Sequence, residues 1–532
     1  MNRWLTRANQ RISLPNAAAL LIGTALIGQL LGFMRTQVIN GNFNSPGHIT
    51  TDAYFAAFKI PDFFFYTIAA GALGVAFMPF LADKLEHGDK RAVWQITSGL
   101  LNLLGILMVA VGVIMLVFTE PLLRLVVGHN LGPQQTHDAV MIMRIIALNP
   151  LLFTISGVLT SLQQTFGRFF FYALGPIIYN VCIITSVYIF KNNLGLTGLA
   201  YGALAGAALQ LLIVCLGLKG MNFKYQPIIN MRSADFRRIL RNLPARSIDQ
   251  GIDSINSIVE TNRASVLGTG RITFYENAYT LHLVPILLIG TTIATAAFPR
   301  LNERLAQGRP DLFRRDFLQI LRVMIWIILP VAVITFFARA YFARLIYKNI
   351  APDIALILEF LVGAIIFRTL YAIISRYFYA QKDTRTPLFV SLFTIALNIV
   401  LAFKLAKPID LGGYGIAGLA IAQSVVAAVE VFILVTIMLW RDHKLFDGEF
   451  WGGVARSLSV TGFTVMTTYT LVHIFQLQSS DRGFITLGTK LFLIVVPTFA
   501  VHIAISALYG LDEVKPVIAK LRQVMLKPVR IQ

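Results

Sequence analysis

Charge is scarce in this 532-residue sequence. Asp, Glu, Lys and Arg supply 14% of it, against about a quarter in soluble globular domains, so a water-soluble globule is excluded. Cysteine is scarcer still. The two present, Cys182 and Cys215, both sit inside apolar runs, which excludes a disulfide framework and a cysteine-based zinc site. The eight histidines are scattered without ligand spacing, so no metal site and no cofactor are expected. There is no Walker motif and no glycine-rich phosphate loop. The acids Asp52, Glu120, Asp353, Asp410 and Asp481 stand singly in short loops, so an enzyme is not expected.

What the chain has is apolar length. Hydrophobic residues make up 56%, and the mean hydropathy is +0.69. Crossing a bilayer takes about 20 residues. Runs of that size fall at 15–39, 53–80, 94–118, 138–165, 169–190 and 196–219, then at 240–267, 272–298, 317–338, 354–380, 386–406, 415–440, 457–476 and 487–509. The pattern predicts an all-α polytopic membrane protein with about 14 transmembrane helices. Arg3, Arg7 and Arg11 precede a first run too long for a cleavable signal, so that run is read as a retained span. Pro61, Pro79, Pro150, Pro176, Pro285 and Pro330 fall within or at the ends of spans, where prolines mark bends.

The net charge of +20 is explained by topology. With the N-terminus inside, the inner loops and termini carry 28 Lys and Arg and the outer loops 9. The positive-inside rule then places both termini in the cytoplasm of a multi-pass protein. No nucleic-acid partner is expected.

The chain also repeats itself at an offset of 220. Pro79, Leu81, Leu85 and Gly88 match Pro299, Leu301, Leu305 and Gly308, and Gly195, Gly198, Leu199 and Ala200 match Gly415, Gly418, Leu419 and Ala420. Each repeat holds six spans, an even number, so both have the same orientation. The expected organisation is a six-helix lobe over 1–220, a second over 221–441, and two additional helices with a basic tail over 442–532. Two such lobes imply a cavity between them that opens to alternate sides.

Charges at bilayer depth cost about 2.5–3.5 kcal/mol each on insertion scales, so each must face protein or water. Span seven is the densest case. Arg246, Asp249, Asp253, Asn256, Glu260 and Arg263 are spaced by three and four, which lines them on one helical face. Two readings stand: ion pairs that pack a lobe, or a cavity wall with a cation or proton site at Asp249, Asp253 and Glu260. Arg35, Lys59 and Asp62 lie in the first two spans. Lys59 is close enough to a helix end to snorkel, or to pair with Asp62 one turn away. Arg35 suits bidentate capture of phosphate. Arg368 lies too deep to snorkel, and Glu430 in span twelve is expected to form an ion pair. Gly198, Gly202 and Gly206 make a small-residue face for helix packing. The runs Phe63–Phe65 and Phe169–Phe171 are expected to face lipid or the interfacial belt.

The segment "LLGFMR" (Leu30 to Arg35) followed by "TDAYFAAFKIPDFFFYTIAAGALGVAFMPFLADKL" (Thr51 to Leu85) resembles the MurJ/MviN family of lipid II flippases, in the multidrug/oligosaccharidyl-lipid/polysaccharide exporter superfamily. The span count and the two lobes resemble that family too. The resemblance implies a cavity in which Arg35, Lys59, Asp52 and Arg368 meet the pyrophosphate of a lipid-linked peptidoglycan precursor. Arg35 matches the arginine of the family's "LGF-x-R", Asp52 the acid of "TDA", and Lys59 the lysine of "AF-K-x-P". The chain departs from the family at Gln29, Phe65, Tyr66 and about Thr280, where basic residues are usual, and at Ala70, Gly71 and Ala72, where an acid is missing.

The expected function is transfer of undecaprenyl-pyrophosphate-linked precursor (lipid II) from the inner to the outer leaflet by alternating access, for cell-wall synthesis. Coupling to sodium ions, protons or the membrane potential is left open, and a monomer in the bacterial cytoplasmic membrane is expected. The alternatives are an exporter of another lipid-linked oligosaccharide, a cation-coupled drug antiporter, and a non-transporting scaffold for wall synthesis.

Overall fold

A computed structural model describes residues 14–45, 48–70, 77–229, 234–347, 350–481 and 483–519, with the side chains of 14–19, 22, 70, 79, 234, 235, 239 and 242–250 excepted. Arg3, Arg7, Arg11, Gly71, Ala72 and the side chains of Arg246 and Asp249 therefore lie outside the described residues. The chain divides into two units, one up to Thr273 and the other from Phe274.

In the first unit, α1 (Leu14–Phe43) leads through a two-stranded antiparallel hairpin, β1 (Asn44–Ser45) and β2 (His48–Ile49), to α2 (Asp52–Phe64). Helix α2 contains Pro61 and passes directly into a π-helical segment, Phe65–Ala70. Then come α3 (Met78–Glu86), α4 (Lys90–Val117), α5 (Thr119–Val127), α6 (Pro133–Ile146), α7 (Asn149–Thr165), α8 (Phe170–Ala173), α9 (Gly175–Phe190), α10 (Gly198–Gly217) and α11 (Ala234–Val266). The span expected over 138–165 is thus two helices. Pro150 has no N–H to continue a helix from α6, and it opens α7 instead. Helix α5 carries no signal that separates it from the preceding run. Phe77, Leu81, Trp94, Leu100, Leu162 and Phe236 form a buried core shared by α3, α4, α7 and α11. Span seven, which begins the second sequence repeat, packs in the first unit.

The glycine face of α10 does what its spacing predicted. A β-carbon at Gly198 would collide with Phe190, and one at Gly202 with Ser186 and the Cys182 carbonyl. Gly202→Ala should therefore cost about 1–3 kcal/mol by overpacking, read as a lower unfolding temperature in detergent. Two residues of the phenylalanine runs depart from expectation. Phe171 is buried, and Phe65 packs edge-on against Phe153 with ring centroids 5.8 Å apart.

The second unit contains most of α12 (Arg271–Pro285), a π-helical segment Ile286–Thr291, α13 (Thr292–Ala306), α14 (Pro310–Tyr347), α15 (Ala351–Ala380), α16 (Arg385–Leu405), α17 (Ala417–Arg441), α18 (Gly448–Ile474) and α19 (Phe484–Leu508). Leu301, Phe317, Met324, Phe378, Leu434 and Met438 sit in its largest core. Helix α14 packs on α18 and α19 through Trp326, Ala338, Tyr341, Val460 and Ile494. At 38 residues it is about 57 Å long at 1.5 Å per residue, well beyond the span expected over 317–338, because both ends run on as charged helix.

Among the described residues, ten helical stretches are long and apolar enough to cross a membrane. The other four expected runs are helical as well, as α1, α2 with α3, α11 and α18. The repeat is also written in the backbone. Gly88 and Gly308 take φ of 75° and 66°, and Gly195 and Gly415 both take 56°. Gly88 and Gly308 each close a helix with the same two bonds, the first from its own N–H to the carbonyl of Leu85 or Leu305, and the second from the next residue's N–H to Lys84 or Arg304. That is a left-handed helix cap of the kind glycine favours. π-Helical segments fall at equivalent places, 65–70 and 286–291.

Ion pairs gather at the basic end of the second unit. Asp316 receives Arg300 through two bonds of 2.8 Å and Arg304 at 3.0 Å. Arg322 reaches Glu513 and Glu449. Asp383, in the turn between α15 and α16, pairs with Arg441 at 2.7 Å. Burial pushes the Asp383 carboxyl up, but bonds from Thr386 and the Arg441 guanidinium outweigh it and hold the group at about 2. A carboxyl held below its unfolded value of about 4 stabilises the fold fully above that pH and loses its effect as pH falls towards 2. Asp383→Asn should lower the unfolding temperature at pH 7, and the gap to the parent protein should narrow below about pH 4.

Candidate functional site

Asp52 opens α2 and is buried. Its carboxylate accepts the N–H of Gly270, the N–H of Thr273 at 2.8 Å and the Thr273 hydroxyl at 2.6 Å. It therefore caps the first turn of α12 across space, as an N-cap acid does within one chain segment. Beside it, Thr51 Oγ1 lies 2.9 Å from Thr273 Oγ1 and accepts from Asn44 Nδ2 at 2.8 Å. Among the described residues these contacts make Asp52 a cap that positions the start of α12. The sequence-based expectation for it was contact with a pyrophosphate.

Lys59, seven residues further along α2, donates to Ser257 Oγ of α11 at 2.8 Å. Helix α11 lies against the π segment here, with Gly251 facing Thr67. The charged face of α11 thus divides. Asp253 is exposed, whereas Glu260 is buried and accepts from Asn256 Nδ2 at 3.0 Å.

Arg35, on α1, is half-buried. Its positive charge and the negative charge of Asp62 both act on the hydroxyls of Tyr54 and Tyr179. Among the described residues no hydrogen bond or ion pair holds the Arg35 guanidinium. A half-buried guanidinium with donors to spare can take an anion's oxygens in a bidentate grip.

Arg368, on α15, is differently placed. Its Nη1 donates to Glu430 Oε2 on α17 at 2.9 Å. Glu430 is 1% exposed, and its other oxygen accepts from Ser391 on α16 at 2.7 Å. The hydroxyl of Tyr371 lies 3.2 Å from that of Ser391. The ion pair expected of Glu430 is present, and its partner is the arginine expected to meet substrate. Arg376, two turns on, rests over the rings of Phe298 and Tyr379.

The structure thus brings Arg35, Lys59 and Asp62 into one unit with Asp253 and Glu260, and places Arg368 in the other. Sequence reasoning passed over Tyr54, Asn149, Tyr179 and Ser257. Only the Asn149–Pro150 step, a polar residue before a helix-opening proline inside an apolar run, carried a readable signal. The second unit has a cavity of about 820 Å3 at its basic end, among Arg314, Arg315, Arg322, Lys444 and Glu449.

The chain matches the sequence model of a family described as "Lipid II flippase MurJ" over residues 47–488. A probable lipid II flippase MurJ of Thermotoga maritima is 23% identical over 517 residues, covering 96% of this chain and 99% of its own. One of Borreliella burgdorferi is 22% identical over 475 residues, covering 87% and 90%. A solved lipid II flippase MurJ in an inward closed conformation aligns with a TM-score of 0.78 at 19% identity, over 93% of this chain and all of that one. An inward-facing multidrug transporter of the MATE family aligns at 0.66 and 17% identity, over 80% of this chain and 98% of that one.

Proposed function

Because the chain belongs to the MurJ family, we propose that it moves lipid II, an undecaprenyl-pyrophosphate-linked peptidoglycan precursor, from the inner to the outer leaflet by alternating access. The family match carries the reading, since it runs through both sequence repeats. Arg35 is the residue whose chemistry fits the cargo best: a guanidinium at membrane depth, free to bind diphosphate oxygens. Lys59 adds positive charge from a position fixed by Ser257. Asp52 keeps α2 in register with the start of α12. Arg368 answers Glu430 and supports the second unit.

The protein acts as a monomer in the bacterial cytoplasmic membrane, with both termini in the cytoplasm, as the 28 to 9 bias in basic residues supports. Transport draws on the membrane potential or on coupled sodium ions or protons, with Asp249, Asp253 and Glu260 as the acids involved. No enzymatic step and no cofactor are invoked.

Depleting the protein in its host is the direct test. Lipid II should accumulate on the inner leaflet. Unchanged lipid II together with new sensitivity to cationic drugs would replace this reading with a cation-coupled antiporter.

A further inference from the structure

None of the residues assigned to the cargo lines the cavity at the basic end of the second unit. It measures about 820 Å3, within the usual range of ligand sites. Its walls come from the start of α14, the α17–α18 connection and the short 3-10 turn Asp512–Val514 that follows α19. Tryptophans mark its depth. Trp440, in the last turn of α17, is 79% exposed, and Trp451, in the first turn of α18, is 56% exposed. Exposed tryptophans at helix ends form the belt of a membrane–water interface, so the cavity sits at the level of lipid headgroups.

Five cations and five carboxylates line it, and most are already spent. Arg322 pairs with Glu513 and Glu449, Lys515 with Asp512, Asp311 with Arg309, and Arg314 with Asp442. The inner wall is close-packed, since a β-carbon at Gly453 would lie 2.5 Å from Arg322 Nε. Three charges are left over. Among the described residues the side chains of Arg315 and Lys444 have no hydrogen bond or ion pair, and Asp447 has no cation. Asp447 Oδ1 accepts the N–H of Phe450 at 2.7 Å and so caps α18. The Arg314–Asp442 bridge joins the helix that carries Arg315 to the connection that carries Lys444. A guanidinium and an ammonium suit a phosphate, while a spare carboxylate suits a group with N–H donors and positive charge. A ligand with both charges leaves neither side uncompensated. We propose that this cavity binds the headgroup of a zwitterionic phospholipid, with its phosphate at Arg315 and Lys444 and its primary ammonium at Asp447. The site does not depend on which cargo the protein carries.

The test titrates purified, delipidated full-length protein in detergent with dihexanoyl phosphatidylethanolamine, phosphatidylglycerol or phosphatidylcholine, and with free phosphoethanolamine. Binding is read by native mass spectrometry and by thermal unfolding. Phosphatidylethanolamine should bind saturably and raise the unfolding temperature. Phosphatidylglycerol has no ammonium and phosphatidylcholine has one without N–H donors, so both should bind about tenfold more weakly. The double variant Arg315→Gln with Lys444→Gln should unfold at the parent's temperature without lipid and lose the binding. Asp447→Asn keeps the helix cap, because Asn caps as well as Asp, and should erase the preference for phosphatidylethanolamine over phosphatidylglycerol. Equal binding of those two lipids by the parent protein, or an unchanged preference in Asp447→Asn, would overturn the proposal. So would saturable binding that survives in the double variant, which would put the lipid elsewhere. Free phosphoethanolamine that binds as tightly as the lipid would make the ligand a soluble phosphate ester, and would overturn it too.

Discussion

Arg35→Ala is expected to abolish lipid II flipping in proteoliposomes while the protein still inserts, folds and accumulates. The two halves of that result come from the same observation. No described residue hydrogen-bonds or ion-pairs with the Arg35 guanidinium, so truncation breaks no hydrogen bond or ion pair among the described residues. It removes a guanidinium at membrane depth that, among the described residues, has its donors to spare for a diphosphate. Truncating one member of a close charge pair typically costs about 2–5 kcal/mol, which is roughly a 30-fold to several-thousand-fold loss of affinity. Arg35→Lys should recover only part of the activity, because an ammonium keeps the charge and loses the planar fork. Unimpaired flipping by the alanine variant would take Arg35 out of the site.

Arg368→Ala should behave in the opposite way. Its partner Glu430 is 1% exposed, and removing one member of a buried pair costs about 3–5 kcal/mol because the other charge is stranded. The Arg368 side chain is itself 32% exposed, so the lower end of that range applies. The variant should unfold at a distinctly lower temperature, and flipping should fall in step with the amount of folded protein. Pairing it with Glu430→Gln should restore most of the stability, since Ser391 can still bond a neutral amide. A variant that folds normally but does not flip would instead make Arg368 a substrate contact, as the sequence alone had implied.

The scaffold was legible in the sequence for a simple physical reason. Each span must be apolar along its whole length, so its presence is written in composition and survives errors of several residues at its ends. Among the described residues all fourteen runs are helical, though 138–165 is two helices and 310–347 is one long one. The glycine ladder of α10 was equally readable, since close helix packing tolerates little else there.

The site was less legible, because what decides a polar residue's role is its partner, and partners lie far off in the chain. Asp52 and Thr273 are 221 residues apart, and Arg368 and Glu430 are 62 apart. Nothing near Asp52 in sequence shows that its carboxylate is spent on a distant helix end. The face of α11 shows the same limit. Helical spacing put its acids in one line, but Glu260 is buried and Asp253 is exposed.

The paired left-handed glycines bear on how such a chain ages. Gly88 and Gly308, and Gly195 and Gly415, hold backbone angles that any side chain would strain. If the two halves descend from one duplicated segment, mutation has been free to rewrite most of the lipid-facing surface, where one aliphatic residue serves as well as another. It has had no such licence where a chain reversal depends on a missing β-carbon. The ancestry of this chain is therefore kept at its corners, in residues with no side chain at all, long after the walls between them have drifted apart.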